Sequence, residues 1–517
     1  MTLKQKILQG LPTLKRLILS GLTILALSMI GTDLIQSLNQ PQIQSRLELY
    51  QVNLVLHAAE WRGNAAGYNL DIARQTIFGD DIFFGALKQY QQTRKITEKS
   101  AEKIREQLRQ LEEKATPQQL KQLQALLSKQ ETLLDEFDLR LGILQIQQNQ
   151  TASALTTWAN LKDDSTPLTK TAEVLVALWS ESPRILPNSE TLIQRHLDGW
   201  FRYRALSRLY EIQKNSQALA ALQAEEQKIA KQAAVKLAIV GVIPVLGCLI
   251  GTGLIIFVII QWLLKRKKSL LAQNADVVWE TPWNGETVWL VFVVGFFFVG
   301  QVVIPFLLSF FSYVLNFNPA ALEVRSKALY ILASYILFAA GALLILYISV
   351  KPFLPLPEGW FRIDWRGEWF WWGLGGYLAA LPLVIIVSII NQRIWEGQGG
   401  SNPILPIALE GRDGVALALF FITASMAAPV FEEIMFRGFL LPSLTRYVPM
   451  WGAITLSSLL FAIAHLSVSE VLPLATLGGI LGFIYVRSRN LLAPMLLHSL
   501  WNSGTLLSLF ILGSDLS

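Results

Sequence analysis

Charged side chains are scarce in this sequence, since Asp, Glu, Lys and Arg make up only 16% of its 517 residues. A soluble globular chain usually carries about 25%. Hydrophobic residues reach 52% and the mean hydropathy is +0.40. The shortage of charge argues against an ordinary soluble protein and favours a chain that lies largely within a membrane.

Cysteine and histidine are also scarce. The single cysteine, Cys248, cannot form an internal disulfide and therefore gives no information about the redox compartment. Of the four histidines, His57 and His196 lie in a polar stretch, whereas His465 and His498 lie in apolar runs. The latter two are candidates for chemistry, because ionisable groups within membrane spans are costly and commonly functional.

Long apolar runs recur along the chain, and about 18 or more apolar residues are needed to cross a bilayer. Together with an N-terminal run, they predict an all-α, polytopic helical membrane protein with about nine spans and an inserted extramembrane helical domain. The predicted spans are 17–30, 235–264, 287–311, 328–350, 369–391, 414–440, 451–468, 471–487 and 491–513.

The predicted organisation has four parts. Residues 1–38 form a signal anchor, since no small-residue cleavage site closely follows the apolar run, although a cleaved signal peptide is the alternative. Residues 39–232 form an extramembrane helical domain, residues 233–368 form linking transmembrane helices, and residues 369–513 form the membrane core.

Residues 39–232 are polar and rich in Gln, Leu and Glu, with a helical period that Pro117 interrupts. The stretches "LQIQQNQTASAL" and "YEIQKNSQALAAL" resemble each other at a spacing of 66 residues, between Ile146 and Ile212. This is close to two tetratricopeptide periods of about 34 residues. A plain helical hairpin domain is the alternative to a tetratricopeptide-like array.

The net charge of +6 is attributed to membrane topology and anionic lipid rather than to nucleic acid. Short loops rich in basic residues, including Lys265–Lys268 and Arg446, alternate along the chain with poorer ones. By the positive-inside rule the N-terminus is cytoplasmic, and residues 39–232 lie on the opposite side. We expect the bilayer and a membrane peptide or protein substrate as partners, with a further protein partner for residues 39–232.

Two adjacent glutamates end an apolar run in "EEIMFRG". Glu433 and Arg437 are four residues apart, so they share a helix face and can pair. Glu432 points about 100° away from Glu433, because a helix has 3.6 residues per turn. One carboxylate can thus be neutralised while the other faces a different cavity, unless both are simply solvated at the end of a span.

Two further patterns, "FAIAH" ending at His465 and "HSLWN" from His498 to Asn502, lie in the same third of the chain. Either histidine alone is more often a core residue, and the asparagine is a common interhelical contact. Beside a carboxylate, however, an imidazole can help to take a proton from water, and an imidazole with an amide can stabilise an oxyanion. Alternatively Glu432, His465 and His498 could bind zinc, whose water would be the nucleophile.

These three patterns resemble the E-E-x-x-x-R, F-x-x-x-H and H-x-x-x-N motifs of the CPBP family, which contains CAAX proteases and bacteriocin-processing intramembrane endopeptidases. The resemblance covers roughly residues 370–513. It implies that Glu432 activates water with His465, that His498 and Asn502 form the oxyanion site, and that Glu433 and Arg437 support them. A metal-free, glutamate-dependent mechanism is favoured for the CAAX members, and no cofactor other than zinc is suggested.

Two other functions compete with an intramembrane endopeptidase. A non-enzymatic scaffold or immunity-type protein could use the same fold, but it would have no need to keep three intact motifs. A transporter with a Glu/His/Arg proton relay usually shows repeat-related halves, and we find none.

Overall fold

The computed structural model describes residues 3–38, 43–62, 81–111, 117–161, 167–274, 278–316, 318–319, 322–395, 399–400 and 413–513. All regular elements within these ranges are helices, as predicted. The chain divides into two compact units, one formed by the N-terminal helix with residues from Ile243 to Gly513 and the other by Ile43–Val242. The predicted boundary at 38/39 borders residues 39–42, which lie outside the described part of the chain.

The helices of the Ile43–Val242 unit follow the predicted period. They are α2 (Ile43–Ala59), α3 (Ile82–Leu111), α4 (Pro117–Gln147), α5 (Thr151–Ala159), α6 (Pro167–Trp179), α7 (Ser189–His196), α8 (Gly199–Ile212) and the first part of α9 (Ser216–Lys265). Pro117 begins α4, where its missing N–H costs no helical hydrogen bond. The predicted interruption is therefore a helix start.

The two similar stretches of this unit are both helix ends. After α4, the Gln150 N–H donates to the Gln145 carbonyl, and Asn149 has a φ of 58°. After α8, the Asn215 N–H donates to the Tyr210 carbonyl, and Lys214 has a φ of 54°. Both turns follow the Schellman pattern. They are 65 residues apart rather than 66, so a common way of ending a helix accounts for the likeness as well as a repeat does.

The core of this unit combines aromatic rings with a buried polar pair. Trp158, Trp200 and Phe201 are almost fully buried. His57 on α2 lies 2.7 Å from Glu226 on α9, and each side chain is 2% exposed. A buried polar group is costly unless it is hydrogen-bonded. Sliding α2 along α9 would separate His57 from Glu226, so this contact favours one register of the two helices.

The other unit contains the membrane helices. They are α1 (Leu3–Ser37), the remainder of α9, α10 (Gly285–Val314), α11 (Val324–Val350), α12 (Trp369–Trp395), α13 (Gly414–Leu444), α14 (Met450–Ile463), α15 (Val471–Ser488) and α16 (Leu492–Gly513). The chain is thus an integral, multi-pass membrane protein. Within the described ranges seven helices are long and apolar enough to cross a membrane, so the expected nine spans were an approximation.

Two of the nine predicted spans, 451–468 and 491–513, are not among these seven helices. Helix α14 has only 14 residues, or about 21 Å at 1.5 Å per residue, which is short of a bilayer core of about 30 Å. The predicted span 451–468 was therefore too long, because the helix ends at Ile463 and Leu466 adopts a left-handed φ of 57°. Helix α16 has 22 residues but is not among the seven candidate spans found in the described ranges.

Candidate active site

Helix α13 carries both glutamates and is not a uniform α-helix. Its α-helical turn Ala428–Glu433 is flanked by the π-helical segments Ile422–Ala427 and Ile434–Leu440. Single π-helical turns are rare and often mark functional sites. The glutamates therefore lie at the junction between two kinds of helical winding.

Pro429 gives a chemical reason for the first π-helical segment. Proline has no N–H, so Pro429 can donate neither an α-helical bond to the Ser425 carbonyl, four residues earlier, nor a π-helical bond to the Ala424 carbonyl, five residues earlier. Two side chains of α16 replace this donor: Asn502 Nδ2 donates to the Ala424 oxygen at 2.7 Å, and the Ser499 hydroxyl donates to the Ser425 oxygen. The asparagine of "HSLWN" is thus tied to the helix that carries the glutamates.

Glu433 and Arg437 form the predicted pair, and both side chains are fully buried. Arg437 Nη1 donates to Glu433 Oε1 at 2.8 Å, and Nη2 donates to the Gly478 carbonyl of α15 at 3.1 Å. The guanidinium carbon also lies 4.5 Å from the centre of the Phe461 ring. These contacts favour a buried structural ion pair over solvated charges at a helix end.

His498 joins the two glutamates. Its Nδ1 lies 2.9 Å from Glu433 Oε1, and its Nε2 lies 4.0 Å from Glu432 Oε2. An ionised carboxylate can only accept hydrogen bonds, so Nδ1 carries a proton and donates it to Glu433. In the neutral imidazole, Nε2 then presents its lone pair towards Glu432.

The two oxygens of Glu432 differ. Oε1 accepts a hydrogen bond from the Tyr335 hydroxyl of α11 at 3.0 Å. Oε2 is buried and has no hydrogen-bond partner within the described residues. Because two acceptors, Oε2 and the His498 Nε2, face each other across 4.0 Å, a molecule with two donor hydrogens, such as water, would satisfy both.

His465 lies just beyond the end of α14. Its Nδ1 is 2.8 Å from the Phe461 carbonyl, to which it donates. Within the described part of the chain, no hydrogen bond or ion pair joins it to Glu432 or Glu433. The Phe461 ring nevertheless packs against both imidazoles. The ring centroids are 4.9 Å apart for His465 and 5.7 Å apart for His498.

The predicted residues are therefore linked in four ways. Glu433, Arg437 and His498 are joined by direct hydrogen bonds, Glu432 faces His498, and Asn502 binds the backbone four residues before Ala428. His465 joins the cluster through Phe461. Residues Glu432, His465 and His498 do not gather as metal ligands, because no group of three or more His, Cys, Asp or Glu side chains that could hold a metal occurs in the described ranges.

Sequence reasoning missed Tyr335 and Ser499. Tyr335 lies in an apolar run with no motif around it, and its partner is 97 positions away. Ser499 lies inside "HSLWN", but its role depends on the proline of another helix. Pro429 was the available signal, since a proline within a span leaves carbonyls that other helices must satisfy.

Comparison with known proteins agrees with the motifs. Residues 414–504 match the family described as type II CAAX prenyl endopeptidase Rce1-like. The chain is 29% identical over 137 residues to the membrane-embedded CAAX protease MroQ of Staphylococcus aureus (strain USA300), covering 25% of this chain and 54% of the relative. It is 26% identical over 132 residues to the putative membrane peptidase YdiL of Bacillus subtilis (strain 168), covering 26% and 53%.

The chain spans about half the length of these curated relatives. No solved structure matches it significantly. The family match begins at the first residue of α13 and ends within α16, so it contains all three motifs. Residues 414–504 of this multi-pass membrane protein therefore form a domain of the Rce1-like CAAX prenyl endopeptidase family.

Proposed function

We propose that the protein is an intramembrane endopeptidase that hydrolyses peptide bonds with a water molecule activated by Glu432. The observation that carries the proposal is the buried Glu432 Oε2, which has no hydrogen-bond partner among the described residues and faces the His498 Nε2 at 4.0 Å. The family match and the protease names of two relatives support the same reaction class.

The first step takes a proton from water. A water between Glu432 and His498 donates one hydrogen to Oε2 and the other to Nε2. As its oxygen attacks the carbonyl carbon of the scissile amide, Glu432 takes the first proton as general base. The 4.0 Å separation favours His498 over His465 as the imidazole that shares this water.

The second step breaks the C–N bond. The proton held by Glu432 passes to the departing amide nitrogen, the tetrahedral oxyanion collapses to a carboxylic acid, and an amine leaves. An amide side chain has two N–H donors, and the Ala424 carbonyl occupies one of those of Asn502. The other is available to the developing oxyanion, a type of contact whose removal costs about 10²–10³-fold in rate.

Arg437 and Glu433 keep the imidazole in place. The Glu433 carboxylate accepts from Arg437 and from His498 Nδ1 through the same oxygen. Such a carboxylate fixes the tautomer and orientation of the ring. We assign Glu433 and Arg437 to this supporting role, with no step through a metal ion.

The substrate class follows from the location of the site in apolar helices. We propose peptides held at the membrane by an apolar segment or by a covalent lipid, the latter in keeping with the CAAX proteases among the relatives. The Ile43–Val242 unit contains none of the motif residues, and we assign it to the recruitment of substrate or of a partner protein.

Cleavage of internally quenched peptides by the purified protein in liposomes tests the proposal. One peptide set carries an apolar helix and the other carries a C-terminal prenylated cysteine. We expect the wild type to cleave at least one set and Glu432→Gln or Glu432→Ala to be slower by about 10²–10⁴-fold, the usual contribution of a general base.

Glu358→Gln is the matched control, because it neutralises an exposed carboxylate of the same unit. It should cleave at the wild-type rate. Cleavage of neither peptide set by the wild type, as expected of a scaffold, would contradict the endopeptidase. Full activity of Glu432→Gln at equal protein amount would contradict the role of Glu432.

A further inference from the structure

Glu432 is held by a residue outside the segment that matches the family. The Tyr335 hydroxyl on α11 donates to Glu432 Oε1 at 3.0 Å, whereas the match covers residues 414–504. The bond is partly buried. A second helix therefore acts directly on the carboxylate that faces His498.

Aromatic contacts hold the Tyr335 ring in place. It meets the rings of Phe338 and Phe431 nearly edge-on, with centroid separations of 6.1 Å in each case. Phe338 and Phe431 are themselves 5.1 Å apart. Edge-to-face packing of this kind restricts ring orientation. Since Phe431 immediately precedes Glu432, the ring and the carboxylate are fixed against the same turn of α13.

A carboxylate bound through one oxygen is limited in rotation. The bond to Oε1 leaves Oε2 as the oxygen directed towards the His498 Nε2. Without the phenol, Glu432 would have no hydrogen bond to a described side chain and could turn Oε2 away from the imidazole. A misplacement of about 1 Å at a catalytic group can cost about 10²-fold in rate.

We propose that Tyr335 is a positioning residue for Glu432, an inference that rests on the proposed function. The phenol orients the general base and does not itself exchange a proton with the substrate. This makes α11 part of the active site, although α11 lies outside the segment that the family match covers.

Tyr335→Phe separates the hydroxyl from the ring. The variant keeps the contacts with Phe338 and Phe431 and removes only the hydrogen bond to Glu432. With a peptide that the wild type cleaves, we expect kcat to fall by about 10–100-fold, while KM stays within about twofold because ground-state binding is unchanged. The thermal unfolding midpoint in detergent should equal that of the wild type.

Tyr347→Phe is the matched control, since it removes a phenol from the same helix at a position that is 56% exposed. It should match the wild type in kcat and KM. An unchanged kcat in Tyr335→Phe would overturn the inference. A fall in kcat matched by an equal fall in folded protein would also overturn it, because the role would then be structural.

Glu432→Gln, measured alongside, separates this inference from the proposed function. If Glu432→Gln is inactive and Tyr335→Phe is fully active, only the positioning role of Tyr335 is contradicted. Fully active Glu432→Gln contradicts the proposed function itself, whatever the result for Tyr335→Phe.

Discussion

Single residues show how two adjacent, chemically identical glutamates acquire different surroundings. Glu433 is fully buried, and one of its oxygens accepts from both Arg437 and His498. Glu432 is 15% exposed, and one of its oxygens accepts from Tyr335 while the other lies 4.0 Å from the His498 Nε2. The angle of about 100° between successive residues on a helix is enough to produce this difference.

Arg437→Ala should destabilise the protein as well as reduce its activity. The substitution removes one of the two side chains that hydrogen-bond to the buried Glu433 carboxylate and leaves His498. Breaking a buried ion pair costs about 3–5 kcal/mol. We expect a clearly lower thermal midpoint in detergent and a lower rate of peptide cleavage. Both are measured on protein purified in the same way as the wild type.

Arg325→Ala provides the control for this prediction. Arg325 forms an ion pair with Asp413 at the same 2.8 Å separation, but its side chain is 61% exposed. An exposed pair contributes about 0–1 kcal/mol, so the midpoint should hardly move. Equal stability of Arg437→Ala and Arg325→Ala would show that burial of the Glu433 pair does not matter.

Local spacing predicted those contacts that lie within one helix. The Glu433–Arg437 pair and the common helix face of His498 and Asn502 follow from a separation of four residues. The contact of His498 with Glu433 and that of Tyr335 with Glu432 join different helices. Their partners are 65 and 97 positions apart, and only the packing of α11, α13 and α16 decides them.

At the scale of elements, the winding of α13 depends on side chains from its neighbours. Ser499 and Asn502 of α16 satisfy two carbonyls of the first π-helical segment. Ser457 of α14 donates to the Phe436 carbonyl in the second segment at 3.1 Å. Each of these bonds satisfies a carbonyl of a π-helical turn next to the glutamates.

Ser499→Ala should weaken the first π-helical segment. It removes the donor to the Ser425 carbonyl, which Pro429 cannot satisfy, and a buried unsatisfied acceptor costs about 1–3 kcal/mol. We expect a lower unfolding midpoint and a fall in kcat, because Glu432 lies one helical turn after the affected segment. Thermal unfolding and peptide cleavage measure the two effects.

Thr505→Ala tests whether any lost hydroxyl of α16 has this effect. Among the described residues, the exposed Thr505 hydroxyl donates to the Trp501 carbonyl of its own helix at 3.1 Å. This variant should resemble the wild type. If Ser499→Ala behaves in the same way, the hydroxyl of Ser499 does not support α13.

Hydropathy predicted most helices but not their internal winding. Apolar length located α10 to α13 and α15, because a span needs a sustained apolar run. The π-helical segments depend on Pro429 and on donors from α14 and α16, so hydropathy does not reveal them. The end of α14 at Ile463 was missed for a related reason, since Ala464, Leu466 and Val468 prolong the apolar pattern although the backbone turns at Leu466.

At the scale of the whole molecule, the orientation in the membrane remains a prediction from loop charge. Cys248 is the single cysteine, so Cys248→Ser gives a background without thiols. In that background Lys129→Cys places a thiol on α4, and Lys267→Cys places one in the basic loop after α9. With an impermeant thiol reagent added outside intact cells, we expect Lys129→Cys to be labelled and Lys267→Cys to be protected.

Labelling after solubilisation in detergent is the control, because both positions are exposed and both thiols should then react. The reverse pattern in intact cells would contradict a cytoplasmic N-terminus. Composition predicted the division into polar and apolar parts. The side of the membrane on which each part lies depends on loop charges, and the fold alone does not reveal it.

The hydrogen bond from α11 to Glu432 limits how this protein could be recombined with its relatives. A chimaera that received only residues 414–504 would carry Glu432, His465, His498 and Asn502. It would not carry Tyr335, so the host protein would have to supply a phenol at that position. Exchange at the borders of the matched segment would therefore separate Glu432 from the phenol that donates a hydrogen bond to it. A functional transplant has to begin before Tyr335.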